Sequence, residues 1–278
     1  MSRASANQLP DAPNATPLAG RLRAMATIAA NTFRESIRNK VLRSLLFFAV
    51  LIVVSGLVLT QMSLHEEVRV ARDLSLFASS LFAMIMAVYS SITLLHTEIE
   101  RRTVYTILSK PIHRWEFVIG KFLGVLGLMA LIVALLWCIS AVVVWMAGAK
   151  PTAPMGWAYL TLFFQMVIIS AIALLLATFS TPLLSGMITV AVFIVGNLFS
   201  HLEQAKEMLE KQGGSGGLLI DVVQFILPNL QALNLSNEVT HNIDIPLEYL
   251  ASALWYTGSY SALVLLLAIL IFSRRDFT

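Results

Sequence analysis

The sequence predicts an all-α membrane protein: six transmembrane helices preceded by an N-terminal helix at the membrane interface. Three observations predict it. Of the 278 residues, 58% are hydrophobic and 13% charged, with a mean hydropathy of +0.79; a soluble domain carries about 25% charged residues. The apolar residues fall into six runs, each near the roughly 20 residues that a helix needs to cross hydrocarbon. The charges cluster between those runs, and no separate stretch has soluble composition.

Residues 1–20 are polar, with Pro10, Pro13 and Pro17 and no apolar core. They read as a disordered cytoplasmic lead and not as a signal peptide, which leaves 21–278 as one membrane domain. Within 21–40, Leu22, Met25, Ala29, Phe33 and Ile37 recur at helical spacing beside Arg23, Arg34, Arg38 and Lys40. That pattern predicts an amphipathic helix along the inner leaflet, with its basic residues against anionic headgroups. A plain cytoplasmic helix that only orients the first span fits the same residues.

The spans follow at about 42–61, 74–96, 117–147, 157–179, 183–202 and 250–272. The third is overlong, so it either tilts or begins at the interface. Gly120 and Gly124 near its start have the Gly-x-x-x-Gly spacing that lets helices pack closely. A contact within the subunit and a contact in a dimer both fit that spacing. Only Ser180-Thr-Pro182 separates the fourth and fifth spans, which predicts a tight hairpin. Loop 203–249 reads as a short polar helix, a glycine-rich break at 213–217 and a second, more apolar helix stopped by Pro228. That second helix is too short to cross, and belongs at the outer interface or slightly inside it.

Orientation follows from the basic residues. With the N-terminus inside, only Arg69, Arg72, Lys150, Lys206 and Lys211 of the 19 Lys and Arg fall outside. This bias predicts cytoplasmic termini and an extracellular loop 203–249.

The sequence offers little to catalyse a reaction with. It has no Gly-x-x-x-x-Gly-Lys-Ser/Thr loop to hold a nucleotide, no His-Glu-x-x-His pair and no Gly-x-Ser-x-Gly elbow. The span interiors are nearly free of ionisable groups, which argues against an ion-coupled carrier. Cys138 is the only cysteine, so internal disulfides and Cys-rich metal sites are excluded. His65, His96, His113, His201 and His241 are scattered along the chain. No catalytic residue, no metal site and no nucleic-acid partner are expected.

The stretch 98–116 is different. Glu98, Arg101 and Arg102 share a helical face, and Glu98 stands four residues before Arg102 in the favourable order. Val104, Ile107 and Leu108 give an apolar side, and Pro111 stops the helix ahead of Arg114 and Glu116. A short cytoplasmic helix of this kind suits docking into a soluble partner. An ordinary charged loop that obeys the inside rule fits equally well.

Glu98-x-Glu100-Arg-x-Thr103, Leu108-Ser-Lys-Pro111, Arg114 and Gly120-Lys-Phe-Leu-Gly124 resemble the permease subunits of type-2 ABC exporters. The branch most resembled includes the permease for nitrous-oxide reductase maturation. Phe33-Arg-Glu35 with Arg38-Asn39, and Arg274-Arg-Asp-Phe277, agree with it. The resemblance implies six transmembrane helices after an interfacial elbow helix that contains Arg34, Glu35 and Arg38. It implies that Glu98, Glu100, Arg101, Arg102, Thr103, Lys110, Pro111 and Arg114 form the region coupled to an ATPase, with Gly120, Lys121 and Gly124 at the start of the third span. The implied complex sits in the cell inner (plasma) membrane. It pairs this chain with a second permease subunit, expected to be another copy, and with separate ABC-type ATPase subunits. The chain itself holds no cofactor; ATP and Mg belong to the ATPase. Ser79, Ser80, Ser90, Ser91, Thr93 and Asn197 are the polar groups expected along a path or in helix contacts. A membrane scaffold for an ATPase or a maturation complex, an ion-coupled carrier and a membrane-embedded enzyme are the alternatives.

Overall fold

The computed structural model describes residues 18–60, 67–100, 114–211, 217–240, 243 and 245–274. The regular elements among them are helices: α1 (Leu18–Arg38), α2 (Lys40–Thr60), α3 (Glu67–Glu100), α4 (Arg114–Met146), α5 (Ala153–Phe179), α6 (Pro182–Gly196), α7 (Phe199–Lys211), α8 (Gly217–Ile226), a 3-10 turn (Gln231–Leu233), α9 (Ser236–Thr240) and α10 (Leu247–Arg274).

The breaks have local causes. Asn39 separates α1 from α2, and its side-chain Oδ1 accepts the Val41 N–H at 2.9 Å, an N-cap bond. Gly148, at φ 88°, ends α4 in the left-handed conformation that favours glycine. Pro182 opens α6 at a position where a helix has no use for its N–H.

Helix α5 is the centre, packed by α3, α4, α6 and α10. Three contacts fix the registers. Tyr159 near the start of α5 meets Ser79 on α3 and Ser140 on α4. Gly186 on α6 lies against Val88 and Ile92 on α3. Phe117 at the start of α4 stacks on Phe272 at the end of α10, with centroids 6.1 Å apart and planes 18° apart. The start of α4, the end of α10 and the Ser180–Thr181 hairpin therefore share one side of the bundle. The segment α7–α9 lies towards the opposite side and is called the cap below.

The expectation of six transmembrane helices is corrected. Among the described residues, four helices are long and apolar enough to cross a membrane: Val68–Thr93, Trp115–Met146, Ala153–Phe179 and Leu247–Arg274. A fifth is counted only if Pro182–Gly196 and Phe199–Met208 together form one span, and these are bent by 67° at their junction. The straight fifth span expected at 183–202 is thus broken: α6 is 15 residues long, about 22 Å against a hydrocarbon thickness of about 30 Å. The first expected span corresponds to the apolar helix α2. That helix, Lys40–Thr60, has 21 residues, and it is not among the four candidates found in the described residues.

Helix α1 packs chiefly on α4, and the two run parallel. The ladder is Arg21 beside Glu116, Met25 and Ile28 at Gly120, Ala29 and Thr32 at Gly124, and Phe33 at Gly127. Two of these glycines are required by the approach. A Cβ on Gly124 would stand 2.5 Å from Thr32 Cβ and 2.8 Å from the Ala29 carbonyl oxygen; one on Gly120 would stand 2.9 Å from Ile28 Cβ. The notch therefore serves a contact within the chain.

Gly124→Ala is expected to cost about 1–3 kcal/mol, because the clash includes backbone that cannot rotate away. Gly127→Ala, whose Cβ would meet Phe33 at 3.5 Å, is expected to be neutral or to gain up to about 1 kcal/mol of helix propensity. Thermal unfolding in detergent measures both, and equal midpoints for the two variants would refute the seat.

Candidate functional site

Two places gather polar chemistry: the hairpin side of the bundle and the cap. On the hairpin side, α3 ends in a turn that contains Glu98 and Glu100, and Arg114 is the first residue of α4. Arg101, Arg102, Thr103, Lys110 and Pro111 lie outside the described residues. What is described brackets them: two helix ends face the same side, with α1 laid along one of them.

Charges at the base of α4 are buried. Glu116 is 2% exposed and its Oε1 lies 3.7 Å from Nε of the half-buried Arg21 on α1. Lys121 is 3% exposed, its ammonium 5.9 Å above the Phe117 ring, within cation–π reach. Phe117 is in turn stacked on Phe272. Apolar rings and an ion pair thus fix the start of α4 to α1 and to the end of α10. The sequence marked Lys121 only as part of the start of a span; its burial becomes visible once α1 covers that stretch.

At 100° per residue, α1 shows three faces. Met25, Ile28, Ala29, Thr32 and Ser36 turn to α4. Arg23, Thr27, Asn31, Arg34 and Arg38 form an exposed polar stripe. Leu22, Ala26, Ala30 and Ile37 form an exposed, mainly apolar stripe between them. Arg34, Glu35 and Arg38, with Asn31 and Asn39, line an open groove at the end of the helix. A helix with one face on protein, one apolar face and one basic face fits the boundary between acyl chains and headgroups.

The cap is held by side chains from the spans. Gln165, 2% exposed on α5, donates Nε2–H to the Leu230 carbonyl at 2.8 Å. Leu230 N–H donates to the Gly196 carbonyl at 3.0 Å. The Leu230 side chain fills the notch at Gly196, where a Cβ would meet Leu230 Cγ and the Pro228 oxygen at 2.9 Å. On α10, Tyr256 Oη accepts the Asn229 N–H at 2.9 Å, Tyr260 Oη–H donates to the Ile226 carbonyl at 3.2 Å, and Tyr249 donates to the Ala232 carbonyl. On α3, Arg72 donates to the Val239 carbonyl at 3.3 Å and Asp73 accepts from Thr240.

The hydroxyls expected along a path are otherwise engaged or enclosed. Ser79 is buried and bonded to Tyr159 at 2.9 Å. Ser90 donates to its own helix at Ala87, and Asn197 to Phe193. Ser91 is buried and Thr93 half-buried. Ser80 and Gln165 line a cavity of about 20 Å³ beneath Leu233, Asn234 and Leu235, room for a water and not for a substrate. Tyr159, Ser140 and Gln165 had no role in the sequence reading. The signal was present: an amide and a phenol inside an apolar run have to be satisfied by a neighbour. No group of three or more His, Cys, Asp or Glu placed to hold a metal occurs among the described residues.

Gln165→Leu is expected to leave the Leu230 carbonyl unpaired in an apolar surrounding, at about 1–3 kcal/mol. The check is a lowered unfolding temperature in detergent together with faster amide exchange over 226–240. Unchanged exchange there would show that the cap does not depend on this bond.

Residues 26–277 match the family described as ABC-2 family transporter protein. No curated protein matches the chain.

Proposed function

The chain belongs to the ABC-2 family of membrane transporters, and on that premise we propose that it is the permease subunit of an ATP-driven exporter. The family match over 26–277 carries this reading. The bracketing of 101–113 by the ends of α3 and α4 supports it. A separate ABC-type ATPase binds ATP with its Mg and docks on Glu98, Glu100, Arg101, Arg102, Thr103, Lys110, Pro111 and Arg114. Its closure pushes the start of α4, and the bundle changes the side on which it opens. Two permease subunits, copies of this chain, flank the path. The narrower likeness to the nitrous-oxide reductase maturation branch rests on the quoted motif residues alone.

The hairpin side is the cytoplasmic one in this reading. Arg21, Arg23, Arg34, Arg38, Lys40, Arg43, Lys121 and Arg274 stand on helices or helix ends there, against Arg69, Arg72, Lys150, Lys206 and Lys211 towards the cap. Such an imbalance is what cytoplasmic segments carry. The basic stripe of α1 then meets anionic headgroups of the inner (plasma) membrane, each basic residue contributing about 1 kcal/mol.

Gentle extraction of the tagged chain and mass spectrometry of its companions tests the reading. A stoichiometric ABC-type ATPase is expected, and its reproducible absence from a folded chain would favour a scaffold or an autonomous membrane protein. Glu98→Lys and Arg102→Glu are expected to reduce the recovered ATPase several-fold while membrane insertion stays at the parent level. Equal recovery would remove this segment from the docking surface. A membrane-impermeant label is expected to reach a cysteine placed at Glu207 on intact cells; labelling only after lysis would invert the orientation.

A further inference from the structure

A charge inside a span has to be satisfied by its neighbours, and where it stands points to function. Arg72 lies within the span Val68–Thr93 and is 9% exposed. Its fork of N–H donors meets little. One donor goes to the Val239 carbonyl at 3.3 Å, and Nε is buried with no partner among the described residues. The Val239 carbonyl is one of the open carbonyls that end α9. It meets the guanidinium at a single point, where a carboxylate would take it with two parallel bonds.

The better acceptor is one residue away. Glu238 precedes Val239 on α9, is half-buried, and its Oε2 is buried with no partner among the described residues. Its carboxylate acts electrostatically on Tyr249 of α10, while the neighbouring carbonyl is turned to α3. Two opposite charges therefore lie on facing elements, each incompletely satisfied, and a five-residue helix carries one of them. The next residue sets this register: Thr240, at the end of α9, donates to Asp73, beside Arg72. That bond is exposed, so water competes for it. A rotation of α9 would break it, remove the Val239 carbonyl from Arg72 and bring the carboxylate there instead. Each arrangement leaves one demand unmet, which is the condition for two packings of similar free energy.

We propose that Arg72 is a positioning residue with two seats on α9: the Val239 carbonyl in the arrangement described, and the Glu238 carboxylate in a second one. The first seat ties α3 to the cap. The second lets α9 turn against α3 while the buried charge keeps an acceptor, as opening of the cap side requires. The role in transport rests on the exporter reading. The exchange of seats needs no ATPase, so it can fail while that reading stands.

Spin labels measure the exchange. In the full chain carrying Cys138→Ser, labels are attached by Phe77→Cys on α3 and Ile243→Cys just after α9, both at exposed positions. The chain is reconstituted in phosphatidylcholine vesicles, and pulsed dipolar spectroscopy gives the distances between the labels. Two distances are expected. Glu238→Gln, which removes the charge of the second seat, is expected to lower the share of one of them several-fold. The swap of Arg72→Glu with Glu238→Arg is expected to make that same distance the dominant one, because a carboxylate at 72 cannot bond the Val239 carbonyl but can still pair with 238. A single distance in the parent would overturn the proposal and leave Arg72 a fixed cap on α9. Two distances in unchanged proportion after Glu238→Gln would also overturn it, since α9 would then move without the pair.

Discussion

A backbone amide in hydrocarbon has no water to bond, and the architecture follows from that constraint. Long helices meet it with their own ladders. Hydroxyls within them meet it by donating back to the same helix, as Thr161 does to Ala158, Thr178 to Leu175, Thr189 to Ser185 and Ser261 to Thr257. The non-helical run after α8 cannot meet it alone. Its amides and carbonyls are taken by an amide on α5, a carbonyl at the end of α6 and three phenols on α10. These polar groups in the spans are best understood as partners for the cap. Their positions on three helices fix where the cap sits.

What the sequence made legible was whatever one segment decides for itself. The break at Ser180–Thr181 could be read because Pro182 needs no donor at the start of a helix. The amphipathic stretch after residue 20 could be read because its periodicity is local. The end of α8 ahead of Pro228 could be read for the same reason, while the glycine-rich break expected at 213–217 falls almost wholly outside the described residues. The family resemblance was carried by the 98–124 block, much of which lies outside the described residues.

What stayed hidden depends on contacts between distant segments. The run 183–202 is apolar enough to pass for a straight span, and Gly196-Asn197 was the only local hint of a stop. The bend there is made by Leu230, more than thirty residues later, which bonds the Gly196 carbonyl and fills the space where a side chain would stand. Hydropathy has no access to that pairing, so a count of apolar runs overstates the crossings. Gly120 and Gly124 show the same limit. Their spacing announces close packing, but nothing local says that the helix received is α1 and not a second copy.

The α1 seat gives the hairpin side its mechanical character. Gly124 leaves no room for a side chain between α4 and the Ala29–Thr32 turn of α1, so the two helices are seated in close contact. The buried Glu116 opposite Arg21 resists separation at the base, because parting them would leave a carboxylate with less compensation in a poorly hydrated place. One residue, Asn39, joins α1 to α2, and Gly56 of α2 rests on Leu74 of α3. A displacement applied where α4 begins is therefore shared at once by α1 and α2, and reaches α3 near its cap-side end. The cap meanwhile ties α3, α5, α6 and α10 together at that end. Motion entering at the base of α4 meets a stiff pair first and a clamped ring of helices last, and α3 belongs to both.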